Sequence, residues 1–200
     1  MSRDALELVR QSPRALAEHG TARLWMHVRT FDEEEDEWYD TFEGEGGIEF
    51  ARLRFRLSDE AAGEGGRYFW RGSVDGGWTV RGEPENPLDA LTPFWLIELV
   101  RGAVSASELD AGGEAGDGPV GYSCVFDLVA ADRSSEHRLA VPGTFAIAEL
   151  LAIPGEAWLD SVGCLRGASC RLPSAETRLK LDDLGGPEPI ELPAHAKQIW

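Results

Sequence analysis

Four histidines, three cysteines and one run of six carboxylates are the clearest side chains in this 200-residue chain that could do chemistry. His19, His27, His137 and His195 are scattered, and no two fall at metal-ligand spacing on one element. Cys124, Cys164 and Cys170 include no pair at zinc-site spacing, and an odd count leaves one thiol over in any disulfide scheme. Cys164 and Cys170 sit within one expected hairpin and could bridge in an oxidising compartment; a reducing one keeps them as thiols. Cys124 shares a strand face with Tyr122 and Phe126, which reads as a small buried hydrophobe. Ser123 and Ser169 lack the flanking glycines of a nucleophile elbow. The glycine-rich stretches lack the Lys-Ser/Thr ending of a phosphate loop, and none joins a strand to a helix as a dinucleotide fingerprint requires. Asp32-Glu33-Glu34-Glu35-Asp36-Glu37 could hold a hard cation. It lacks the alternating acids and turn glycine of a calcium loop, so a solvated loop is expected. Asp127 with His137 is the acid–base pair an enzyme would use, on two strands expected to pair; strand-surface polarity explains it more simply. The reading is therefore of a chain with no catalytic residue, no metal and no cofactor.

Charge narrows the partners. Acidic residues outnumber basic ones, 36 to 19, for a net charge of −17. Such a chain repels phosphate backbones and anionic membranes, so neither nucleic acid nor membrane insertion is expected. Solubility accounts for the charge, and an acidic patch meeting a basic protein partner is the alternative. The first twenty residues carry charge throughout, without the apolar centre of a secretory signal, and the first cysteine is Cys124. The apolar stretches Phe94–Ile97 and Leu150–Ile153 are too short to span a bilayer. A cytoplasmic location is expected.

The elements that would position any site are mostly strands. Residues 4–19 read as a helix, with Asp4 and Glu7 as a capping box, a restart or kink at Ser12-Pro13, and Gly20 as the stop. From Thr21 to Phe31 the chain alternates: Ala22, Leu24, Met26 and Val28 against Arg23, Trp25, His27 and Arg29. Trp38–Phe42 starts a second strand, which Gly44 to Gly47 allow to break. Residues 48–57 alternate again, and 58–66 read as a flexible turn. Tyr68–Val74 and Trp78–Val80 flank Asp75-Gly76-Gly77, a hairpin signature. Residues 81–87 form a Pro-containing connector, 88–101 a helix apolar on a broad face, and 110–118 a mobile Gly/Asp-rich stretch. Val120–Ala130 reads as a strand paired with His137–Val141, and Phe145–Leu151 as either helix or strand. Ala157–Leu159, a turn at Asp160–Gly163, Cys164–Leu172, Thr177–Leu181 and Pro189–Leu192 complete the sheet, with 193–200 as a loose tail. The expectation is one α+β domain over 1–200, a large curved antiparallel sheet with a few helices.

Apolar side chains on the concave side make a ligand site. Leu53, Phe55, Trp70, Trp78, Trp95 and Phe126 are the expected lining of a pocket for a lipid or other hydrophobic small molecule. The alternative is a filled core, with the 88–101 helix packed down, and a protein-interaction or scaffold domain that uses its acidic surface.

The order of elements resembles the LolA/LppX-type lipoprotein-carrier superfamily, including its mycobacterial lipoprotein group. The matching pieces are Val74-Asp75-Gly76-Gly77-Trp78, the stretch Ala157–Arg166, and Thr177–Gly185 leading to Pro189-Ile190. Seventeen arginines against two lysines fit the GC-rich genomes of that group. The resemblance spans roughly residues 5–192. The resemblance implies an unclosed β-barrel, a half-barrel sheet wrapped around a few helices, with acyl chains held between sheet and helical lid, and no catalysis. Those relatives are exported or lipid-anchored, whereas this chain shows no signal and no lipobox cysteine, and Cys164 stands where the pattern more often has a charge. The resemblance therefore implies a pocket that is repurposed or filled, or a protein partner.

Overall fold

The computed structural model describes residues 3–71, 76–83, 87–109, 118–141, 147–186 and 190–198. Strand β1 (Thr21–Asp32) carries the alternation read above: Ala22, Leu24, Met26 and Val28 are buried, while Arg23 is exposed and Trp25, His27 and Arg29 are half-buried. With side chains repeating every two residues, one face of the strand must be covered. Its neighbours are β2 (Glu37–Glu49) on one side and β11 (Ala175–Asp182) on the other, both antiparallel. From β2 the sheet continues through β3 (Arg54–Leu57), β4 (Ala61–Glu64), β5 (Arg67–Arg71) and β6 (Trp78–Arg81) to β12 (Ala196–Gln198). From β11 it continues through β10 (Leu165–Leu172), β9 (Ile153–Leu159) and β8 (Val120–Phe126) to β7 (Ala103–Glu108). Among the described strand pairs only β12 with β6 is parallel. The sheet ends at β12 and β7, which do not pair, so the barrel is unclosed.

The helices sit on one side of this sheet. Helix α1 (Arg3–Ala17) packs on β7, β9 and β10 and on α2 (Pro93–Val100), which in turn meets β10 and α3 (Leu128–Ser134). A fourth, α4 (Ile147–Leu150), is one turn long. All eight residues of α2 are buried, including Glu98, which pairs with Arg101 at 2.6 Å. Helix α1 runs through Pro13 without restarting. Proline cannot donate to the carbonyl four residues back. Here the Ser12 hydroxyl donates to that carbonyl, on Val9, at 2.8 Å. Asp4 lies inside the helix, one residue past its start. Gly20, with φ +78°, closes it.

Several expectations are corrected. Strand β2 does not break at its glycines. A Cβ added at Gly46 would lie 1.8 Å from the Arg56 carbonyl oxygen, so glycine there lets two strands approach closely. The run 48–57 is two strands, the end of β2 and β3, joined by a turn in which Leu53 has φ +50°. Residues 58–66 contain β4 rather than only a turn. The last β5–β6 pair is Arg71 with Trp78, so the connection spans 72–77 rather than a tight Asp75-Gly76 turn; 72–75 lie outside the described residues. Helix α2 starts at Pro93, not 88, because the Thr92 side chain caps it and the Leu88 backbone bonds Arg138 and Ala140 instead. Strand β8 stops at Phe126, where Asp127 caps α3 through Val129 N–H (2.8 Å) and Ala130 N–H (3.0 Å). Asp127 and His137 are thus not on paired strands: β8 pairs with β7 and β9, and residues 137–141 contribute one parallel bridge, Leu139 with Leu88. The ambiguous 145–151 holds helix α4, although 142–146 lie outside the described residues. The same holds for 110–117, most of the Gly/Asp-rich stretch, and for Pro84 and Pro189. The closing strand is Ala196–Gln198 rather than Pro189–Leu192, so part of the expected loose tail is sheet.

Candidate functional site

Five strands turn aromatic or aliphatic side chains toward one space. Met26 and Val28 come from β1, Phe42 from β2, Phe55 and Leu57 from β3, Ala61 from β4, Tyr68 and Trp70 from β5. Period two puts each pair on one face of its strand. Together with the segment 89–93 that roofs it, this concave face encloses a cavity of about 420 Å³. That is within the range of small-molecule sites.

Local structure fixes the walls. Phe55 faces Gly63 across the β3–β4 ladder, and a Cβ at Gly63 would lie 2.2 Å from its ring. The Phe55 ring therefore lies over the glycine. Tyr68 and Trp70 stack with ring centroids 5.9 Å apart, and Phe55 meets Tyr68 at 6.3 Å and Phe94 at 6.4 Å. In β2 the register slips between Val28 and Arg29, so Thr41 is an extra residue at the cavity edge, hydroxyl-bonded to Thr30 at 2.7 Å.

The roof is tied down at two places. Thr92 Oγ1 donates to the Asp89 carbonyl at 2.7 Å and caps α2. Asp89 pairs with Arg81 of β6, whose guanidinium lies 5.6 Å from the Tyr68 ring centroid and 5.8 Å from that of Trp70. This ion pair sits at the mouth: the Arg81 side chain is 56% exposed. Leu91, at the roof's centre, has φ +65°, a conformation that costs a non-glycine residue energy. Burial pushes the Tyr68 hydroxyl above its ordinary pKa and Asp89 adds to this, while Arg81 opposes it, so the hydroxyl stays neutral.

The six residues expected to line a pocket are divided by the structure. Phe55 and Trp70 border the cavity. Leu53 sits in the β2–β3 turn, partly buried against the core. Trp78 belongs to a separate cluster with Ala62, Phe69, Val80, Leu192 and Ala196. Trp95, in α2, and Phe126, at the end of β8, are fully buried in the helix-covered core, and the Trp95 indole donates to the Ala140 carbonyl at 3.0 Å. Sequence reasoning left out Met26, Phe42, Arg81 and Asp89. The alternation of β1 and the Tyr68-x-Trp70 spacing carried part of that signal. Nothing local marked Asp89 as a partner of Arg81.

All three cysteines are free and buried, and burial pushes their thiols up to about 12, about 11 and about 12 for Cys124, Cys164 and Cys170. Thiols held this high are poor nucleophiles. Among the described residues no three His, Cys, Asp or Glu side chains gather as a metal site. No described helix is long and apolar enough to cross a membrane.

No family model matches the chain, and no curated protein matches it in sequence. Its fold, however, is shared with solved structures. The lipoprotein LppX of Mycobacterium tuberculosis superposes with a TM-score of 0.60 at 14% identity, over 96% of this chain and 100% of that one. LprF of Mycobacterium bovis superposes with a TM-score of 0.52 at 13% identity, over 97% of this chain and 99% of that one. The likeness is one of fold.

Proposed function

We propose that the protein is a non-enzymatic carrier that holds a hydrophobic ligand, such as an acyl chain, in the cavity of strands β1–β6. The observation that carries this reading is the cavity itself: apolar walls, one ion pair at the mouth and about 420 Å³ of space. Taking about 30 Å³ per small group, the liquid share of one water, that space takes on the order of a dozen groups. One medium-length chain fits that volume. Each buried methylene would contribute about 0.8 kcal/mol. The fold shared with LppX supports the same reading.

The test is native mass spectrometry of freshly purified protein, followed by organic extraction and titration with a fluorescent fatty acid. A co-purifying apolar mass and saturable probe binding are expected. A clean apo mass together with no probe binding would end the carrier reading.

A second reading draws on the acidic turn between β1 and β2. Asp32 accepts from the Glu34 and Glu35 amides, and the side chains of Glu33, Glu34 and Glu35 face solvent. The turn would then meet a basic protein partner. Replacing these three glutamates by glutamine should abolish such binding at low salt; unchanged binding rejects the idea.

A further inference from the structure

We propose a second site on the opposite, outer face of the sheet, for a small ring compound that carries an anionic group. Its floor is one straight row of residues across five strands. Trp25, Lys180, Gly167, Trp158 and Gly121 are successive cross-strand partners on β1, β11, β10, β9 and β8. A groove of about 780 Å³ opens over this row. That volume suits a small molecule.

The row contains an aromatic platform. Trp158 has a glycine directly opposite on both neighbouring strands. A Cβ at Gly167 would lie 3.3 Å from the indole Cε3, and one at Gly121 would lie 3.1 Å from Nε1. The indole therefore lies across the sheet, with both glycines beneath it. Its other face borders the groove. Rings stack on such a surface. Across the groove, Trp25 is held by its Nε1–H bond to Glu43 at 3.1 Å.

Cations gather at the groove in an otherwise acidic chain, beside the carboxylates Asp160 and Asp182. Arg166, Arg178 and Lys180 line it, in a protein of net charge −17. Asp160 engages Arg166 at 2.9 Å, and Glu176 engages Arg178 at 2.5 Å. Asp182 lies across from Arg23 in the β1–β11 register. Lys180 makes no ion pair among the described residues; its ammonium stands 5.1 Å from the Trp25 ring centroid. One cation without a carboxylate, beside a flat indole, complements a ring bearing a carboxylate or phosphate.

Isothermal titration calorimetry tests this with four probes. Adenosine monophosphate offers an aromatic ring with an anion, and glucuronate a sugar ring with an anion. Adenosine lacks the charge, and inorganic phosphate lacks the ring. Binding of adenosine monophosphate or glucuronate is expected, roughly tenfold or more tighter than adenosine and phosphate, and weakening as salt rises. Which of the two binds identifies the kind of ring. Trp158→Ala and Lys180→Gln should each weaken that binding roughly tenfold, with fatty-acid probe binding unchanged because the two sites lie on opposite faces. Lys180 is exposed, so its substitution reports on the site even if Trp158→Ala folds poorly. No binding of either anionic ring at millimolar concentration, or binding that survives both substitutions, overturns the proposal.

Discussion

Strands β7 to β10 and strands β2 to β5 belong to one sheet, yet the first group ends under a packed core and the second around an open cavity. Over β7–β10 the chain supplies α1, α2 and α3, and α2 buries every one of its eight residues. Over β2–β5 it supplies the short strap 89–93, held by a threonine cap and one ion pair. Aromatic rings lie over glycines in both halves, Phe126 over Gly155 in the first and Phe55 over Gly63 in the second. The strands are therefore built alike. The cover laid on them decides whether the concave face is filled or left available. The question of filled core against cavity has a different answer in each half.

That contrast can be broken most severely at Trp95. Trp95→Ala removes a fully buried indole and its bond to Ala140. A loss of about 3–5 kcal/mol is expected in urea unfolding. Fatty-acid affinity, corrected for the folded fraction, should hardly change. A large specific loss of affinity would mean that the two halves are not separable. In the open half, Gly63→Leu drives a side chain into the Phe55 ring. It should cost about 1–3 kcal/mol and displace the ring into the cavity, so probe binding falls well before stability does. Trp70→Ala removes a half-buried wall and its stacking on Tyr68. An affinity loss of roughly tenfold is expected from lost area and stacking, with a stability change smaller than that at Trp95. Arg81→Ala unties the strap from β6. The exposed pair is worth at most about 1 kcal/mol, so unfolding should barely move while ligand exchange in stopped flow becomes faster.

Acid acts on the helix-covered half through Asp160. Burial alone would raise the Asp160 pKa, but the Cys164 N–H, Arg166 and the Val162 N–H together outweigh it and hold it below the ordinary carboxylate value. A lowered folded-state pKa gives stability that is present above the unfolded value and lost as pH falls toward the folded one. Asp160→Asn should therefore flatten that part of the acid limb below about pH 4, read by thermal melts across a pH series.

Period-two alternation made β1 and the inward face of β8, with Tyr122, Cys124 and Phe126, legible in the sequence, because one covered face imposes a fixed repeat. The large antiparallel sheet was legible for the same reason, whereas its being unclosed followed only from the resemblance. Failures came where a local signal served a different end. The glycines of β2 suggested a break, but they permit close strand approach at Gly46. Asp127 looked like an acid on a strand face and is a helix cap. The 88–101 segment looked like one helix because Leu88 and Leu91 are apolar, yet Thr92-Pro93 starts the helix there. The candidate site was less legible than the fold. Trp78, Trp95 and Phe126 are as apolar as Phe55 and Trp70, and composition cannot say which face or which half a ring will occupy. The Arg81–Asp89 pair depends on how the chain returns after β6, a long-range outcome without a local pattern.

The central strand has a consequence for how the molecule comes into being. Strand β1 is made before the rest of the sheet, but one of its two partners, β11, follows only after β2 to β10, with Arg23 opposite Asp182. The hairpins from β1 to β6 join neighbours in sequence and can close as they leave the ribosome. Until β11 emerges, the other edge of β1 presents a row of unpaired amides and carbonyls. The cavity half is therefore the early product of translation and the sealed seam is a late one. During that interval the nascent chain is most exposed to pairing with the wrong strand.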